Sequence, residues 1–575
     1  MRQLPAPSLC ALFASALSIA VLLATPAVAA EPGASLEEAR SSAARQRLHA
    51  SGAWQRLLHY RSGLVDEGSE VDGESFFLSP KGKESARAEL DATLTAFFLP
   101  VTAGREDSHA LCRFPARFDF LDERLRLRRH LGTPHCPKLS RFVARNTATA
   151  AAVVYAANSL EYPASAFGHT FLYLKRAAEP RGSLGLGVDY QADTDTDNPL
   201  LYAFKGLSGM FEGRFRVLPV EEKFREYADE QDRDLWIYDL TLEPAELKRL
   251  VLHLWEMLGT HFDYFYLTEN CSYHVLGLLE AAAPGLELTE HTKLAVLPVD
   301  TIRALYENAG LVRKVRYVPS RFTRLRAAAQ RQGDSEDDAA PVPWKKSPER
   351  GHGTMRLLFG AGGVSASHET FATLGYRLAL HDLVDPPNGQ PELAQVQFLD
   401  TRLRYDVTSH ELTLNHLTFA ELIALHPLSA WERRPSWRAR AYGGRMRDAR
   451  CASEDCFAHG VNASFGATLA SLDEDIAAFL MADAFVLFSG AFDGVGGSFV
   501  STGIGPHAGL RLRVGGSTVA LVTGTWSYLP GQQLDSTYEV TARVRSALGK
   551  NLAVGVQSNF APSAIEAELH SYIYF

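Results

Sequence analysis

After residue 350 the chain becomes a series of about a dozen segments of nine to fifteen residues, in which apolar and polar side chains tend to alternate. Gly, Asp, Asn and Pro residues separate the segments. Alternation with a period of two indicates β-strands. Strands of soluble sandwiches average about five or six residues, whereas strands that cross an outer membrane at a tilt need about ten. Residues 351–575 are therefore predicted to form an antiparallel β-barrel of about 12 strands. The strands are predicted to begin near Thr354, Thr370, Ala394, Glu411, Ser436, Phe457, Ile476, Gly503, Ser517, Ser536, Asn551 and Ile565.

The last segment shows the alternation over its whole length. Ile565, Leu569, Ile573 and Phe575 share one face, and acidic residues, a histidine and two tyrosines lie on the other. A chain that ends in Tyr-Ile-Tyr-Phe resembles the terminal strand of bacterial outer-membrane proteins, which finish on an aromatic residue, usually Phe. Several other segments carry charges on both faces, so a soluble β-sandwich stays open as the alternative.

The first thirty residues have the pattern of an export signal. Arg2 precedes an apolar run over residues 9–24, and small residues follow at 27–29. The run is too short and wrongly flanked for a stable membrane span. Residues 1–30 are predicted to be a signal peptide, so the rest of the chain is expected in an oxidising compartment. The net charge of −9 is modest for 575 residues and gives no reason to expect nucleic acid as a partner.

The region between the signal and the barrel divides by composition. Residues 31–145 are mainly helical in pattern, and residues 146–320 mix strands, near 151–156, 170–175, 186–191 and 234–242, with helices near 243–259 and from about Asn270. Residues 321–350 are predicted to be a linker, because they include a polar, acidic and Pro-containing stretch. The fold class is therefore α+β.

Cysteine number singles out one thiol. Five cysteines remain after the signal, and sequence proximity pairs Cys112 with Cys136 and Cys451 with Cys456. Cys271 is left unpaired, at the start of a predicted helix. The free N–H groups and the dipole of a helix N-terminus lower the pKa of a thiol. Cys271 is interpreted as a nucleophile, although an inert core cysteine is the plainer alternative.

A thiol nucleophile needs a base and a group that orients the base. His169 lies at a strand start in Phe-Gly-His-Thr and is predicted to be the base. Asp189 lies on the next strand and can support the imidazole if the two strands pair antiparallel. Asn270 and the backbone N–H of Cys271 are predicted to line an oxyanion site.

Other residues compete for these roles. His253, His261 and His274 are alternative bases, and His274 lies three residues after Cys271 on the same helix, a spacing that more often serves packing. The aspartates of 193–197 lack the glycine and the closing glutamate of a calcium loop, so a solvated loop is expected. No cofactor or metal motif is found. The apolar stretch 200–213 is predicted to be either a membrane-touching flap or a buried loop.

At this point the residues resemble a family. Histidine on a strand, a polar residue on the neighbouring strand and Asn-Cys at a helix start is the order of the circularly permuted papain-like fold, as in lecithin:retinol acyltransferase relatives. Residues 158–174 and 269–273 are more closely similar to the periplasmic domain of the Lnb family, bacterial lipoprotein N-acyltransferases. The resemblance covers about residues 145–310.

The resemblance implies a ping-pong acyl transfer. Cys271 matches the family's nucleophile and His169 its base, so the thiolate is expected to take an acyl chain from a phospholipid and pass it to a lipoprotein or another amine acceptor. The chain departs from the family in carrying a barrel, and this leaves the acceptor open. An outer-membrane barrel with its catalytic domain in the periplasm is the predicted arrangement.

Two other functions remain as alternatives. A papain-like peptidase or amidase of peptidoglycan uses the same thiol and imidazole, although the apolar stretch 200–213 favours a lipid substrate. A barrel protein whose periplasmic domain serves only in assembly or binding is the non-enzymatic alternative.

Overall fold

The computed structural model of the protein describes residues 35–62, 67–131, 135–160, 165–176, 185–290, 295–330, 347–365, 367–430, 432–446, 450–451, 456–492, 499–530 and 535–575. The predicted signal peptide, 1–30, lies outside these residues. The predicted α+β class, with a helical N-terminal region and a C-terminal barrel, is confirmed.

The N-terminal region is a module of short helices. Its elements are α1 (Leu36–Arg45), α2 (Gly52–Leu57), β1 (Tyr60–Ser62), β2 (Glu67–Ser69), α3 (Ala86–Phe97), α4 (Ala110–Arg113), α5 (Pro115–Leu125), α6 (Arg128–Leu131) and α7 (Pro137–Arg145). The predicted disulfide between Cys112 and Cys136 is confirmed and ties α4 to the start of α7. A fully buried ion pair of 2.6 Å between Glu89 and Arg117 joins α3 to α5.

The middle of the chain forms a seven-stranded antiparallel sheet in the order β8-β6-β5-β4-β3-β7-β9. The strands are β3 (Ala150–Ala156), β4 (His169–Lys175), β5 (Gly185–Asp193), β6 (Phe211–Pro219), β7 (Leu235–Leu240), β8 (Phe262–Tyr264) and β9 (Val312–Val318). The four predicted strands correspond to β3, β4, β5 and β7. The sequence did not predict β6, β8 or β9, because β8 has only three residues and charged side chains interrupt the other two.

Six α-helices accompany this sheet in the part of the chain that the structure describes: α8 (Pro199–Leu207), α9 (Val220–Phe224), α10 (Pro244–Met257), α11 (Cys271–Ala282), α12 (Pro298–Glu307) and α13 (Arg321–Gln330). The predicted helix at 243–259 is α10, which begins with a capping box between Glu243 and Glu246. Two predictions need correction. The stretch 200–213 is α8 followed by the start of β6, and the predicted linker 321–350 begins as α13.

The C-terminal region is a closed barrel. Its strands are β10 (Arg356–Val364), β11 (Thr370–Arg377), β12 (Ala379–His381), β13 (Ala394–Asp406), β14 (Leu412–Ala424), β15 (Ser436–Met446), β16 (Cys456–Ala470), β17 (Ile476–Phe488), β18 (Val500–Val514), β19 (Thr518–Tyr528), β20 (Ser536–Ala547), β21 (Leu552–Phe560) and β22 (Ile565–Tyr574). All neighbours pair antiparallel, and β11 also pairs with β13, which closes a ring of 12 strands that excludes only the short β12.

The predicted strand starts agree with the barrel. The largest offset is at β18, which begins at Val500 and not near Gly503. Closure excludes the β-sandwich, and the outer face is apolar: Ile565, Leu569 and Ile573 on the last strand are 47%, 67% and 42% exposed. An outward apolar band on a closed barrel is the lipid-facing surface of an outer-membrane protein. The predicted disulfide between Cys451 and Cys456 is also confirmed, at the β15–β16 connection.

None of the helices in the described residues has the length and apolar character needed to span a bilayer.

One edge of the seven-stranded sheet, the side formed by the strand ends where β4 begins, faces an end of the barrel. Phe167, just before β4, packs on Phe398 of β13 with ring centroids 5.2 Å apart. The guanidinium of Arg434, between β14 and β15, lies 4.6 Å from the ring centre of Phe322 in α13. The hydrophobic core that unites the helical module with the sheet also continues into barrel residues, among them Leu380. The barrel and the mixed domain are therefore packed together at this edge.

Candidate functional site

Cys271 and His169 meet at the edge of the sheet that faces the barrel. Cys271 is the first residue of α11, His169 is the first residue of β4, and their side chains lie close enough that each shifts the pKa of the other. A second link lies beside this pair, because the Thr170 hydroxyl donates to the Ser272 hydroxyl over 3.1 Å. The backbone N–H of Thr170 also lies near the sulfur and lowers the pKa of the thiol. The start of the helix is thus held against the start of the strand.

Asp189 supports the imidazole from the neighbouring strand. Strands β4 and β5 are antiparallel, and the His169 Nε2 lies 2.6 Å from the Asp189 Oδ1. Since Nε2 is engaged by the carboxylate, Nδ1 is the ring nitrogen left for the sulfur. The Tyr227 ring covers the imidazole, with centroids 5.6 Å apart. The structure therefore brings the three side chains into one row, in the order sulfur, imidazole, carboxylate.

A buried lysine completes this row, and sequence reasoning missed it. The Lys223 Nζ lies 2.6 Å from the Asp189 Oδ2, and its side chain is only 3% exposed. The Gln191 amide donates to the same oxygen over 2.6 Å. Lys223 follows two glutamates in a short helix, a pattern that is typical of a solvated surface charge. Only the packing of α9 against β5 places it at the carboxylate.

The charges of this row determine the protonation of the thiol. Burial opposes a charged His169, but the Cys271 sulfur and the Asp189 carboxylate outweigh it and raise the pKa of His169 to about 10. Burial likewise opposes a charged Cys271, but His169 and the Thr170 N–H lower the pKa of the thiol below its ordinary value. Burial would also raise the pKa of Asp189, yet His169 and Lys223 hold it below its usual range. The charges of the row therefore favour a thiolate beside an imidazolium.

The chain leading into His169 has little freedom. Gly168 has φ +89°, and a Cβ at this position would lie 2.9 Å from the Tyr155 ring. The buried Arg233 donates to the backbone oxygens of Ala156 and Ala157 over 3.0 and 2.7 Å. Glycine in the Phe-Gly-His motif thus allows this turn to approach β3 closely. Arg233 binds the end of that strand.

Asn270 does not occupy the oxyanion position that the sequence predicted for its amide. Its Oδ1 caps α11 by accepting from the N–H groups of Ser272 and Tyr273, over 3.0 and 3.4 Å. Its Nδ2 donates to the backbone oxygens of Tyr266 and Val296, over 2.9 and 2.6 Å. Both amide hydrogens are therefore used by carbonyls, and Asn270 positions the start of the helix.

Tyr264 is the group that meets the backbone N–H of Cys271. Its hydroxyl oxygen faces that N–H, and its ring stacks on Tyr190 with centroids 5.7 Å apart. A hydroxyl that accepts one hydrogen bond keeps its own proton for donation. No sequence signal marked Tyr264, because its strand has only three residues.

The alternative histidines have other surroundings. His274 is fully buried between the rings of Tyr190 and Phe262, burial lowers its pKa to about 3, and neither ring nitrogen has a hydrogen-bond partner among the described residues. His253 lies between His59 and Glu256, at 3.0 and 3.1 Å. His261 lies 3.9 Å from Glu212. The geometry favours His169 over all three as the partner of the thiol.

One group of potential metal ligands lies at the inner end of the barrel. His352, His381 and Asp385 are buried, with ligand atoms within 4.8 Å of one another. Arg377 Nη1, however, lies 2.7 Å from Asp385 Oδ2, and Arg545 contacts the other oxygen. A divalent cation would face both guanidinium groups, so these residues are read as a buried ion-pair network that links the barrel wall to its end.

Comparison with known families agrees with this architecture. Residues 139–308 match the family model described as the Lnb N-terminal periplasmic domain, which confirms the resemblance seen in the sequence. Residues 345–574 and 46–124 match two domains of unknown function, DUF7840 and DUF7843. With the lipid-facing barrel, the match places the chain in the outer membrane and the matched domain in the periplasm, as predicted.

Solved structures similar to the barrel include an outer-membrane channel from Pseudomonas putida F1, with 12% identity, 41% of this chain and 100% of that chain covered, and a TM-score of 0.25. The NanC porin has 6% identity, 38% and 100% coverage and a TM-score of 0.24. Omp33 of Acinetobacter baumannii has 12% identity, 39% and 99% coverage and a TM-score of 0.20. No curated protein matches the chain. These TM-scores are too low to support an argument about the barrel. Its architecture rests on its own strand pairing.

Proposed function

We propose that the Lnb N-terminal periplasmic domain, which precedes the closed outer-membrane barrel in this chain, is a thiol acyltransferase. Cys271 takes an acyl chain from a phospholipid, and an amine, such as the N-terminus of a lipoprotein, receives it. The observation that carries the proposal is the row of sulfur, imidazole and carboxylate formed by Cys271, His169 and Asp189. An unpaired thiol of lowered pKa at a helix N-terminus is the arrangement of an activated nucleophile.

In the first half-reaction the Cys271 thiolate attacks the ester carbonyl of the phospholipid. A carbon–sulfur bond forms and the ester carbon–oxygen bond breaks, while the His169 imidazolium gives its proton to the leaving alkoxide. Lysophospholipid departs and a thioester remains on Cys271. The Asp189 carboxylate, itself held by Lys223, keeps the imidazole oriented in both protonation states.

In the second half-reaction an amine attacks the thioester and His169 accepts a proton from it. A carbon–nitrogen bond forms, the carbon–sulfur bond breaks, and the thiolate and imidazolium are restored. Water in place of the amine would give a free fatty acid by the same route.

The negative charge on the carbonyl oxygen needs donors in both half-reactions. The backbone N–H of Cys271, at the positive end of α11, is one donor. The Tyr264 hydroxyl, which faces that N–H, is the second. Asn270 acts through the position of the helix and is a positioning residue.

The direct test is a covalent adduct. We expect purified full-length protein in detergent to gain the mass of one acyl group after incubation with phosphatidylethanolamine, and peptide mapping to place the group on Cys271. The same protein with a muropeptide in place of the lipid tests the peptidase alternative, because that enzyme would form its thioester with the peptide. An adduct from the muropeptide alone would overturn the proposal.

The rate of thioester formation should depend on pH as a bell. The rate rises as the Cys271 thiol loses its proton, at a pH below the ordinary thiol range because the pKa of the thiol is lowered. It falls as His169 loses the proton that the leaving alkoxide needs, at a pH of about 10. The measurement is the initial rate of adduct formation with a soluble short-chain ester between pH 5 and pH 11.

Asp189→Asn should move the alkaline side of this bell. The carboxylate raises the pKa of His169, so its removal lowers that pKa and the rate should begin to fall at a lower pH. Thr241→Ser, an exposed change at the far end of the sheet, should leave both limbs in place. An alkaline limb that stays near pH 10 in Asp189→Asn would show that the carboxylate does not hold the proton on His169.

A further inference from the structure

Helix α8 has an exposed apolar face. Leu201, Phe204 and Leu207 lie three residues apart and are 43%, 62% and 43% exposed, and Met210 just after the helix is 58% exposed. A spacing of three places these side chains on one side of a helix. Large apolar side chains clustered at the surface mark a binding site more often than single ones do.

The opposite side of α8 is packed beside the candidate nucleophile. A Cβ on Gly206 would lie 2.2 Å from the Tyr266 ring, and the Tyr266 N–H donates to the Gly206 oxygen over 2.8 Å. The Tyr266 oxygen is in turn held by Asn270, the residue before Cys271. The exposed face therefore belongs to a helix that rests on the loop leading into the candidate site.

The sheet topology places α8 at the edge that faces the barrel. Strand β4 begins there with His169, antiparallel β5 ends there, and β6 begins there at Phe211. Helix α8 connects the last two strands. Phe167, which packs on the barrel, lies at the same edge. Neighbouring strands lie about 4.8 Å apart, so α8 lies about 5–10 Å across the sheet from the Phe167 contact. The displacement is away from β9, on whose side Arg434 meets Phe322.

We infer that the exposed face of α8 is a membrane-contact surface, which inserts into the periplasmic leaflet of the bilayer that holds the barrel. The barrel anchors this edge of the domain at the membrane, and the apolar side chains of α8 are left uncovered there. A shallow apolar face of this kind is buried in the interfacial region of a bilayer. Lys205 is the one cation of α8, and its Nζ lies 2.6 Å from the Asp195 carboxylate. Its charge is therefore paired within the protein.

The inference goes beyond the proposed function, because it identifies the lipid surface that the domain meets whether or not a thioester forms. Where the proposed function also holds, this surface lets a phospholipid leave the leaflet next to Tyr266 and reach Cys271 without crossing water. A protein partner on the same face is the other occupant, and the experiment below separates the two.

A depth-sensitive fluorophore on α8 tests the contact. Phe204→Cys in a Cys271→Ser background is labelled with an environment-sensitive dye, and the full-length protein is reconstituted into vesicles of phosphatidylethanolamine and phosphatidylglycerol. We expect phospholipids that carry a nitroxide on the acyl chain to quench this dye several-fold more than a dye at Thr241→Cys. Thr241 is exposed and follows β7 at the opposite edge of the sheet, about 20 Å away. Equal quenching at both positions would overturn the inference.

A second measurement keeps the two proposals distinguishable. The double variant Phe204→Ser with Leu207→Ser should lower the rate of adduct formation from vesicle phospholipid by about tenfold or more, since it removes two apolar side chains that the bilayer would cover. The matched control removes two exposed apolar side chains of the helical module, Leu99→Ser with Val101→Ser, and should keep the wild-type rate. Strong quenching at residue 204 without any adduct would refute the thioester and retain the membrane contact. An adduct rate that the α8 double variant leaves unchanged would refute a role for α8 in delivering lipid.

Discussion

Replacing Cys271 with alanine should abolish the acyl adduct and lower the release of lysophospholipid by at least about 10³-fold. Every covalent step of the proposed reaction passes through this sulfur, and His169 lowers the pKa of its thiol. Alanine has a high helix propensity, and the Asn270 cap of α11 stays in place. The loss should therefore appear in the chemistry and not in the fold. Lysophospholipid is measured by mass spectrometry, and the thermal unfolding midpoint reports the fold.

Cys271→Ser is the matched variant, because it keeps the shape of the side chain and replaces the thiol with a far less acidic hydroxyl. It should retain wild-type stability and lose nearly as much rate as alanine. His169→Ala should also suppress the reaction, since it leaves the thiol without the imidazole that lowers its pKa. Wild-type release of lysophospholipid by either Cys271 variant would contradict the assignment of the nucleophile.

Replacing Glu89 with alanine should lower the free energy of unfolding by about 3–5 kcal/mol. The Arg117 guanidinium, fully buried at 2.6 Å from the Glu89 carboxylate, would remain as an unpaired charge. The carboxylate also accepts from the backbone N–H groups of Leu78 and Ser79 at 2.9 Å, and these donors would lose their acceptor. Urea unfolding of the full-length protein in detergent, followed by near-ultraviolet circular dichroism, measures the change.

Glu84→Ala is the control for this measurement, because Glu84 is an exposed glutamate in the same segment and its loss should cost no more than about 0.5 kcal/mol. The helical module and the sheet share one hydrophobic core. The effect of Glu89→Ala should therefore reach the candidate site and speed proteolysis of both regions together. A decrease below about 1 kcal/mol would show that water or a rearranged partner replaces the lost carboxylate.

The barrel was predictable because its signal is local and repeated. Each lipid-crossing strand has its own alternation of apolar and polar residues and its own flanking turns. Twelve such weak patterns therefore predict the strand starts along residues 351–575 nearly correctly. Closure was harder to foresee, since it depends on the pairing of the first barrel strand, β10, with the last, β22. Strands β6, β8 and β9 escaped prediction because their charges and short lengths hide the alternation, and neighbouring strands define them.

The candidate site divides in the same way. Cysteine number and the Asn-Cys and Phe-Gly-His motifs singled out Cys271 and His169 from the sequence. Lys223 and Tyr264 were invisible, because one resembles a surface charge and the other lies on a three-residue strand. The role of Asn270 changed for a related reason: its hydrogen-bond partners, Tyr266 and Val296, come from separate loops.

The sequence by itself determined the kinds of element, the order of the three regions, both disulfides and the identity of the odd thiol, since periodicity, turn residues and cysteine number are properties of neighbours along the chain. Only the tertiary structure decided that Asp189 reaches His169, that Lys223 lies behind Asp189, and that α8 presents an apolar face at the barrel edge. These facts depend on strand register and on packing between residues far apart in the chain, which local pattern does not specify.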